Sequence, residues 1–391
     1  MLRWLTAGES HGPEILGLLE GIPAGVAVTE EDVAEALARR RLGYGRGARM
    51  GFEADQLTLL GGVWRGYTTG APIAITIQNS EWPKWEAVMN PGPGPRPPGA
   101  RATPLTRPRP GHADLPGLVK YGHRDVRAIL ERSSARETAS RVALGAVAQA
   151  FLDQGLGIKL VSHVVNLGGV TASRSWCPGP EDGPRLDASA TRTLDPAAET
   201  AMVARIDQAK RDGDTLGGQV EVIAYGVPVG LGSHVQADRR LDAQLAGAVM
   251  GIQAIKAVEI GMGVELAQLP GSQAHDPIFR ENGKVTRSTN HAGGIEGGIS
   301  NGEPVVIRAT MKPIPTVPNA LPSIDLETGE PAPAVHQRSD ITAVPAAAVV
   351  MEAVVALVLT RAALEKLGGD SLSEVRRNLA GYLEAVPENL R

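Results

Sequence analysis

The stretch PAAAVVMEAVVALVLTRAALEKL, residues 345–367, decides the fold. Small and branched apolar residues occur on every side of a helix built from it, and a helix that is apolar all round must be buried by other elements. Its most apolar part, residues 344–359, is too short for a membrane span and is interrupted by Glu352. The stretch therefore predicts a core helix and no membrane span.

Strands and helices alternate around this core helix without the regular spacing of βαβ units. A capping box of Thr29 and Asp32 predicts a helix that ends at Gly43. Further helices are predicted over residues 135–154, over 196–210 and from a cap at Asp238 through Leu241, Leu245, Ile252 and Ile255, and strands over residues 2–6, 14–20, 158–165, 219–224 and 305–311. Residues 90–104 and 173–195 predict surface loops. No break in composition marks a boundary, so we predict one large α+β domain over residues 1–391, with sheets covering buried helices.

Composition argues against several functional classes. The chain is 42% hydrophobic and 21% charged, as globular proteins are, and its net charge of −4 provides no basic field for nucleic acid. Cys177 is the single cysteine and cannot form an internal disulfide. Without an HExxH, CxxC or P-loop motif we expect no metal site. The N-terminal sequence has no signal-peptide pattern, and we expect a cytoplasmic protein.

The densest basic cluster lies at residues 39–49. Its first three arginines, residues 39–41, close the helix that begins at Thr29, where cations stabilise the C-terminal end of the helix dipole. That structural role is sufficient for one or two of them. Arg46 and Arg49 follow among glycines, where the backbone can approach a ligand closely. Five guanidiniums in this setting predict a site for phosphate and carboxylate groups.

Two further segments combine cations with a fixed backbone. The segment RPRPGHAD, residues 107–114, presents Arg109 and His112 from a loop that prolines stiffen. The segment RSSARE, residues 132–137, enters a predicted helix, and the free N–H groups at a helix start bind anions. An ordinary helix cap with flanking ion pairs would also explain this second segment.

The segment GESHG, residues 8–12, matches the G-x-S-x-G pattern of a serine nucleophile elbow. In hydrolases with this elbow several strands precede it and a helix follows, whereas here one strand precedes it and a strand-like segment follows. A serine hydrolase that uses Ser10 is therefore the alternative function. A turn in which Ser10 and His11 make only local hydrogen bonds is the simplest structural explanation.

Three segments toward the C-terminus complete the set. A glycine-rich loop at residues 291–302 lacks the dinucleotide-binding pattern but could enclose a flat or phosphorylated cofactor. The segment KPIPT, residues 312–316, presents a lysine and a threonine from stiff backbone. The segment RSD, residues 338–340, places a cation and a carboxylate before the core helix. A non-catalytic binding module for a sugar phosphate would account for these features too.

The chain resembles the chorismate synthase family, because these segments occur in that family's order across nearly the whole chain. The resemblance rests on GESHG (8–12), RRRLGYGRGARM (39–50), RPGHAD (109–114), RSSARETA (132–139), Gln253-Ala254, HAGGIEGGISNGEP (291–304), KPIPT (312–316) and QRSD (337–340). Each segment alone is weak, and the ordered set is specific. Gln253 and the proline-rich stretch at 90–104 are minor departures from the family pattern.

The resemblance implies a lyase of the shikimate pathway that converts 5-enolpyruvylshikimate 3-phosphate to chorismate and phosphate by an anti 1,4-elimination. His11 would protonate the departing phosphate, and His112 would manage the charge of a reduced flavin. Asp340 would help deprotonate the flavin N5, which then takes the C6 proton. The substrate-binding residues implied are Arg40, Arg46, Arg49, Arg109, Ser134, Arg136 and Arg338.

The resemblance also implies a reduced FMN cofactor, which lends electron density and recovers it. The residues implied for the flavin site are Arg132, Ser133, Ser134, Gln253, Ala254, Gly297, Lys312, Pro313, Ile314, Pro315, Thr316 and Arg338. The implied fold is a helical layer between antiparallel sheets, a β-α-β sandwich, and the implied assembly is a homotetramer. NADPH is the expected electron source, used by this chain itself or by a separate flavin reductase.

Overall fold

The structure is a computed structural model that describes residues 1–47, 56–281, 283–335 and 339–390. The helices are α1 (Glu30–Arg41), α2 (Trp82–Met89), α3 (Asp114–Tyr121), α4 (Arg127–Ser133), α5 (Thr138–Leu156), α6 (Gly183–Ala188), α7 (Pro196–Asp212), α8 (Leu241–Met250), α9 (Gly271–Ala274), α10 (Val344–Leu367) and α11 (Leu372–Glu384). The strands are β1 (Arg3–Ala7), β2 (Glu14–Glu20), β3 (Leu57–Gly61), β4 (Val63–Trp64), β5 (Tyr67–Thr68), β6 (Ile73–Gln78), β7 (Lys159–Leu167), β8 (Val170–Thr171), β9 (Gly218–Tyr225), β10 (Ile255–Ile260), β11 (Ile278–Glu281), β12 (Lys284–Arg287), β13 (Ile295–Glu296), β14 (Ile299–Ser300), β15 (Val305–Met311), β16 (Pro322–Ile324) and β17 (Pro331–Pro333).

An antiparallel sheet near the N-terminus contains four strands in the order β1-β2-β6-β3. Along β2, buried and half-buried side chains alternate, which is typical of a sheet with one face in the core. The sequence predicted β2 with its observed bounds. The connection from β1 to β2 carries the segment GESHG.

A second antiparallel sheet contains five strands in the order β10-β15-β9-β7-β8. Within this sheet the adjacent strands β9 and β15 pair from Val305 opposite Ala224 to Met311 opposite Gly218. The segment KPIPT follows the end of β15 directly. The predicted combination of helices and sheets in one chain is confirmed, and the antiparallel pairing explains the absence of βαβ spacing.

The helix α10 lies in the middle of the hydrophobic core, as its apolar sequence predicted. It packs against α5, α1 and α8 and against β7 and β9 of the second sheet, while α5 packs against β2 and β6 of the first. By length and hydropathy α10 could cross a membrane, yet 89% of its most apolar window is buried inside the protein. This burial is typical of a core helix.

Glu352 lies in the buried middle of α10 and connects it to α1. Its carboxylate accepts hydrogen bonds from Arg39 at 2.9 and 3.2 Å and from Ser162 at 2.6 Å, and Arg192 lies 3.6 Å away. Burial alone would raise the pKa of Glu352, but the positive charges of Arg39 and Arg192 hold it below its usual value. Because Arg39 belongs to the last turn of α1, this network fixes the point where the arginine–glycine segment begins.

Two predicted elements have different bounds in the structure. The predicted helix through Ile255 ends at Met250, because Gly251 begins a turn and Ala254 has a left-handed φ of 68°. Ile255 therefore belongs to β10, and Asp238 lies in a short 3-10 turn before α8.

Two other predictions also need correction. Residues 173–195 are not only a surface loop, because they contain α6 and a segment in which Thr191 is 0% exposed. The segment RSSARE does not lead directly into a helix. Ser133 ends α4, Ser134 caps a 3-10 turn, and α5 begins at Thr138. The Ser133 hydroxyl donates to the carbonyl oxygen of Ile129 and the Ser134 hydroxyl accepts from the backbone N–H of Arg136, and such side-chain bonds to nearby backbone favour a break over a continuous helix.

Candidate active site

The GESHG turn between β1 and β2 is fixed by glycine and by a buried amide. Gly8 has a φ of 99°, and a Cβ at this position would lie 2.5 Å from the carbonyl oxygen of Glu14, so only glycine fits. The side chain of Asn79 donates to the carbonyl oxygens of Ser10 at 3.2 Å and of Gly12 at 3.0 Å. The turn therefore presents the intervening residue, His11, from a rigid backbone.

His11 pairs with a buried carboxylate that the sequence analysis missed. Its Nδ1 lies 2.9 and 3.0 Å from the two carboxylate oxygens of Glu131, and its backbone N–H donates to the same carboxylate at 2.9 Å. Glu131 belongs to α4 and is 3% exposed. The indole of Trp85, which was also missed, lies against the imidazole with ring centroids 4.1 Å apart. These contacts leave the Nε2 edge of His11 for a ligand.

Ser10 is not arranged as a nucleophile. It is 5% exposed, and its hydroxyl accepts a hydrogen bond from Ser134 at 3.1 Å. Within the described ranges of the chain, no histidine hydrogen-bonds to Ser10, and Nδ1 of His11 is engaged with Glu131. A serine nucleophile needs a base within hydrogen-bonding reach. The geometry therefore gives no support to the serine-hydrolase alternative.

Arg132 and Ser133 lie next to this turn at the end of α4. The guanidinium of Arg132 donates to the carbonyl oxygens of Thr6 at 2.8 Å and of Gly8 at 3.3 Å. The hydroxyl of Ser133 donates to the carbonyl oxygen of Ile129 at 2.7 Å, within α4 itself. Arg132 thus ties the RSSARE segment to β1, and the Ser133 hydroxyl is used to close a helix turn.

Arg136 approaches the same region from the other side of Ser134. It is 7% exposed, and its Nη2 donates to the carbonyl oxygen of Gln78 at the end of β6, at 2.9 Å. Ser134 bridges the two parts, because it donates to Ser10 and accepts from the backbone N–H of Arg136 at 3.3 Å. The predicted substrate-binding residues of this segment therefore lie beside His11.

Glu137 connects this region to Gln253. Its carboxylate accepts hydrogen bonds from Thr6 at 2.6 Å, from Gln253 at 2.9 Å and from Arg141 at 3.0 Å. Burial alone would raise the pKa of Glu137, but the charge of Arg141 and these hydrogen bonds lower it. The Oε1 of Gln253 is buried and accepts no hydrogen bond from any residue that the structure describes. An acceptor left in this way suits a ligand N–H group.

The turn at Ala254 connects Gln253 to the KPIPT segment. The backbone N–H of Lys312 donates to the carbonyl oxygen of Ala254 at 3.0 Å, and the Lys312 ammonium donates to the carbonyl oxygen of Gly111. The carbonyl oxygen of Ile314 accepts from Thr215 at 2.8 Å. Three segments that are distant in sequence, at 111, 254 and 312, therefore meet here.

Arg109, His112 and Asp114 form a compact charged cluster. Asp114 is 0% exposed and accepts from Arg109 Nε at 2.8 Å, from Arg109 Nη2 at 3.0 Å and from His112 Nδ1 at 2.5 Å. The Nη1 of Arg109 donates to Thr316 at 2.9 Å, which ties this loop to KPIPT. Arg109 also has a backbone N–H that donates to Asp114 at 3.0 Å.

The side chain of Asp114 stays ionised because its pKa is lowered. Burial alone would raise its pKa, but the hydrogen bonds from His112 and Arg109 hold the pKa well below its usual range. Because the carboxyl pKa is depressed in the folded state, its contribution to stability is complete above about pH 4 and is lost only in stronger acid. Asp114 therefore stays an anion against which His112 is oriented.

Asp340 holds the arginine–glycine segment. Its Oδ2 lies 3.2 Å from Nη1 of Arg46, and its Oδ1 accepts from the backbone N–H of Gly47 at 2.6 Å. Arg40, in the last turn of α1, is 5% exposed. The arrangement places a carboxylate at the N-terminal approach to α10 and next to a cation that the sequence analysis assigned to the substrate.

Three further predicted residues are Gly297, Arg49 and Arg338. Gly297 lies between β13 and β14 with a φ of 60°, and among the described residues, its two chain neighbours aside, no atom lies within 4 Å of the position that a Cβ would occupy. Arg49 and Arg338 lie outside the described residues. In the part of the chain that the structure describes, no group of three or more His, Cys, Asp or Glu side chains could hold a metal ion.

The contacts above form one connected set. They run from Glu131 and His11 through Ser134, Glu137, Gln253 and Lys312 to Thr316, Arg109 and His112. The set contains two histidine–carboxylate pairs and several arginines, a composition that suits proton transfer to a phosphorylated, multiply anionic ligand.

Comparison with known proteins identifies the family. The profile of the chorismate synthase family matches residues 2–364. The chain belongs to the chorismate synthase family. The chorismate synthases of Salinispora tropica and Beutenbergia cavernae are 62% and 61% identical, and at least 99% of each protein is covered in both comparisons. A crystal structure of a chorismate synthase has a TM-score of 0.78 and 41% identity, with 98% of both chains covered.

These relatives confirm the family, the enzyme class and the lyase activity that the sequence predicted. Chorismate synthases use a reduced flavin, and this agrees with the predicted use of a reduced flavin as the cofactor. Glu131 and Trp85 were not predicted from the sequence. The one signal for Glu131 is its position directly before RSSARE, on the buried side of α4 with Ile129 and Leu130.

Proposed function

We propose that the chain converts 5-enolpyruvylshikimate 3-phosphate to chorismate and phosphate with reduced FMN. In this elimination the C3–O bond to phosphate and a C6–H bond both break, and a second double bond forms in the ring. The observation that carries the proposal is the pairing of His11 with Glu131 within the same contact network as the Arg109–Asp114–His112 cluster. A leaving phosphate needs both a proton and positive charge around it.

The arginines of the network would bind the anionic groups of the substrate. Arg109 has five N–H donors; Asp114 uses two of them and Thr316 uses one, which leaves guanidinium donors for an anionic group of the substrate. Arg136 of the RSSARE segment and Arg46 beside Asp340 would supply further guanidiniums. We assign Arg40, Arg49 and Arg338 to the same substrate site from the family resemblance.

His11 is the proton donor in this proposal. Its Nδ1 faces Glu131, and its Nε2 edge is therefore the one that can give a proton to the phosphate oxygen. His112 is held by Asp114 and Arg109, and we assign it to charge control beside the flavin ring. Asp340 supplies a negative charge close to Arg46, and we assign it a part in moving the C6 proton.

The flavin site would be formed by the RSSARE and KPIPT segments together with Gln253, Ala254 and Gly297. The unsatisfied Oε1 of Gln253 fits a flavin because the flavin ring has an N–H donor. Gly297 lies on an exposed turn with open space beside it, so it would not obstruct a bound ring. Reduced flavin would supply transient electron density to the eliminating substrate and end the reaction unchanged. FMN is the form we propose, since Arg132 and Lys312 provide cations for its phosphate.

We further infer that the chain is a single domain in which α5 and α10 form a layer between the two antiparallel sheets. One buried hydrophobic cluster contains residues from Leu2 to Val375, and this continuity supports a single domain. The contacts of α5 with the first sheet and of α10 with the second support the sandwich arrangement.

We also propose a cytoplasmic homotetramer. Large apolar side chains that remain exposed in the N-terminal strands support an interface between copies: Leu5 in β1 is 70% exposed, Leu60 in β3 62% and Trp64 in β4 69%.

NADPH is the proposed source of electrons for the flavin, and a separate flavin reductase is the proposed alternative to reduction by this chain.

Oxidised FMN is expected to bind at least about tenfold more tightly when the substrate is present. The physical reason is that Arg109–Thr316 and Lys312–Gly111 contacts join the proposed substrate and flavin segments, so that one ligand orders the site of the other. Flavin fluorescence titrations with and without substrate measure the effect, with inorganic phosphate as the control for a simple anion. Equal affinities would argue against adjoining sites.

Phosphate release from 5-enolpyruvylshikimate 3-phosphate, measured without oxygen and with reduced FMN, tests the proposed function. A non-catalytic binding module would retain the substrate and release no phosphate. A serine hydrolase would instead be labelled at Ser10 by a fluorophosphonate, with Ser10→Ala as the unlabelled control.

A further inference from the structure

We propose that Glu131 is a positioning residue that directs the Nε2 of His11 at the leaving phosphate. The inference rests on the proposed function, because it adds a partner to the proton donor of that reaction. Glu131 does not itself face a ligand: its side chain is 2% exposed and lies beneath the GESHG turn. Its effect on the reaction must therefore pass through His11.

Three hydrogen bonds hold the turn against Glu131. The carboxylate accepts from both the backbone N–H and the Nδ1 of His11, each at 2.9 Å. The main-chain carbonyl oxygen of Glu131 accepts from the backbone N–H of Ser10 at 2.9 Å. Main chain and side chain of one residue thus fix the position of the turn and the rotation of the imidazole together.

The carboxylate also selects which ring nitrogen carries the proton. A carboxylate only accepts hydrogen bonds, and here its two oxygens lie 2.9 and 3.0 Å from Nδ1. The Nδ1 must therefore remain protonated both before and after the reaction. The proton that His11 can lose is the one on Nε2, and the neutral ring that remains keeps its hydrogen bond to Glu131.

Trp85 restricts the ring further. The indole lies at a centroid distance of 4.1 Å and an angle of 31° from the imidazole, and the Arg127 guanidinium lies 5.2 Å from the indole centroid. Arg127 also lies 3.6 Å from Glu131. The imidazole is consequently held along one edge by a carboxylate and across one face by an aromatic ring, which leaves Nε2 with a fixed direction.

Glu131→Gln is the decisive substitution, because it keeps the shape but replaces one acceptor oxygen with an NH₂ donor. In Glu131→Gln the one remaining side-chain oxygen can accept from the backbone N–H of His11. The new NH₂ group then faces the Nδ1–H of the imidazole, donor against donor, and the hydrogen bond to Nδ1 is lost. We expect turnover to fall by about 10–10³-fold, less than the loss on removing His11, while KM stays near the parent value. Glu374→Gln, in the distant capping box of α11, is the matched control and should retain parent turnover.

A double-mutant cycle separates positioning from a general structural role. In a His11→Ala background, Glu131→Gln should cost no further activity, since the residue through which it acts is gone. A further loss as large as that in the parent background would overturn the inference. If the unmodified enzyme itself makes no chorismate, the proposed function fails instead, and the two failures are distinct.

The tautomer of His11 supplies a test that does not depend on activity. In the unmodified protein with ¹⁵N-labelled histidine, the neutral His11 ring should carry its proton on Nδ1, assigned by its absence from spectra of His11→Ala. A neutral ring protonated on Nε2 would contradict the proposed role of Glu131.

Discussion

Replacing His11 or His112 with alanine is expected to lower turnover by about 10²–10⁴-fold, the range for a lost acid–base group. For His11 the reason is that no other described side chain of the GESHG turn can place a proton donor where its Nε2 edge lies. For His112 the reason is the loss of the imidazole that Asp114 and Arg109 orient. Steady-state rates without oxygen, with FMN kept reduced, measure both losses.

Both variants should fold, because the two histidine side chains are 13% and 15% exposed and neither belongs to the hydrophobic core. In His112→Ala, Asp114 would still be paired with Arg109, so no buried charge would be left alone. His234→Ala, at an exposed position, is the matched control and should turn over at the parent rate. Parent turnover in His11→Ala would show that His11 is not the proton donor.

Asp340→Asn and Arg46→Ala are expected to have opposite effects on affinity although the two residues are in contact. Asp340→Asn keeps an oxygen for the Gly47 N–H and removes the negative charge beside Arg46. Substrate affinity should therefore stay equal or improve. Turnover should fall by about 10²-fold or more, because the Asp340 carboxylate stabilises the transition state and does not help to bind the anionic substrate. Arg46→Ala should raise KM strongly, because an anionic group of the substrate loses its partner.

Measuring kcat and KM for both variants under anaerobic conditions separates these effects. Asp212→Asn, at the exposed end of α7, is a matched control that leaves both constants unchanged. Asp340→Ala should differ from Asp340→Asn and weaken binding, because it also loses the Gly47 hydrogen bond. Weaker binding with unchanged turnover in Asp340→Asn would mean that Asp340 only orients neighbouring arginines.

Local sequence patterns predicted the elements whose cause is local. The capping box at Thr29 and the apolar run of α10 are such cases, since each depends on residues within a few turns. The prediction around Ile255 failed because an apolar spacing continued across a turn, where Gly251 and the left-handed Ala254 reverse the chain. Apolar periodicity alone does not distinguish a continuing helix from a turn that leads into a strand.

The site was predicted as a set of segments but not as a set of contacts. The arginines and histidines occur in recognisable motifs, whereas Glu131 lies 120 positions from His11 and is a partner only after folding. Trp85 belongs to a short helix with no distinctive pattern. The ion pair of Asp340 with Arg46 likewise joins residues that are far apart in the sequence and depends on tertiary packing. Such pairs have no spacing rule in the sequence.

The most direct test of the central claim is anaerobic turnover of 5-enolpyruvylshikimate 3-phosphate with photoreduced FMN and without NADPH. We predict that chorismate and phosphate form in equal amounts and that the flavin is still reduced at the end, because the elimination involves no net oxidation. Phosphate release without chorismate, or one flavin oxidised for each substrate consumed, would contradict the account.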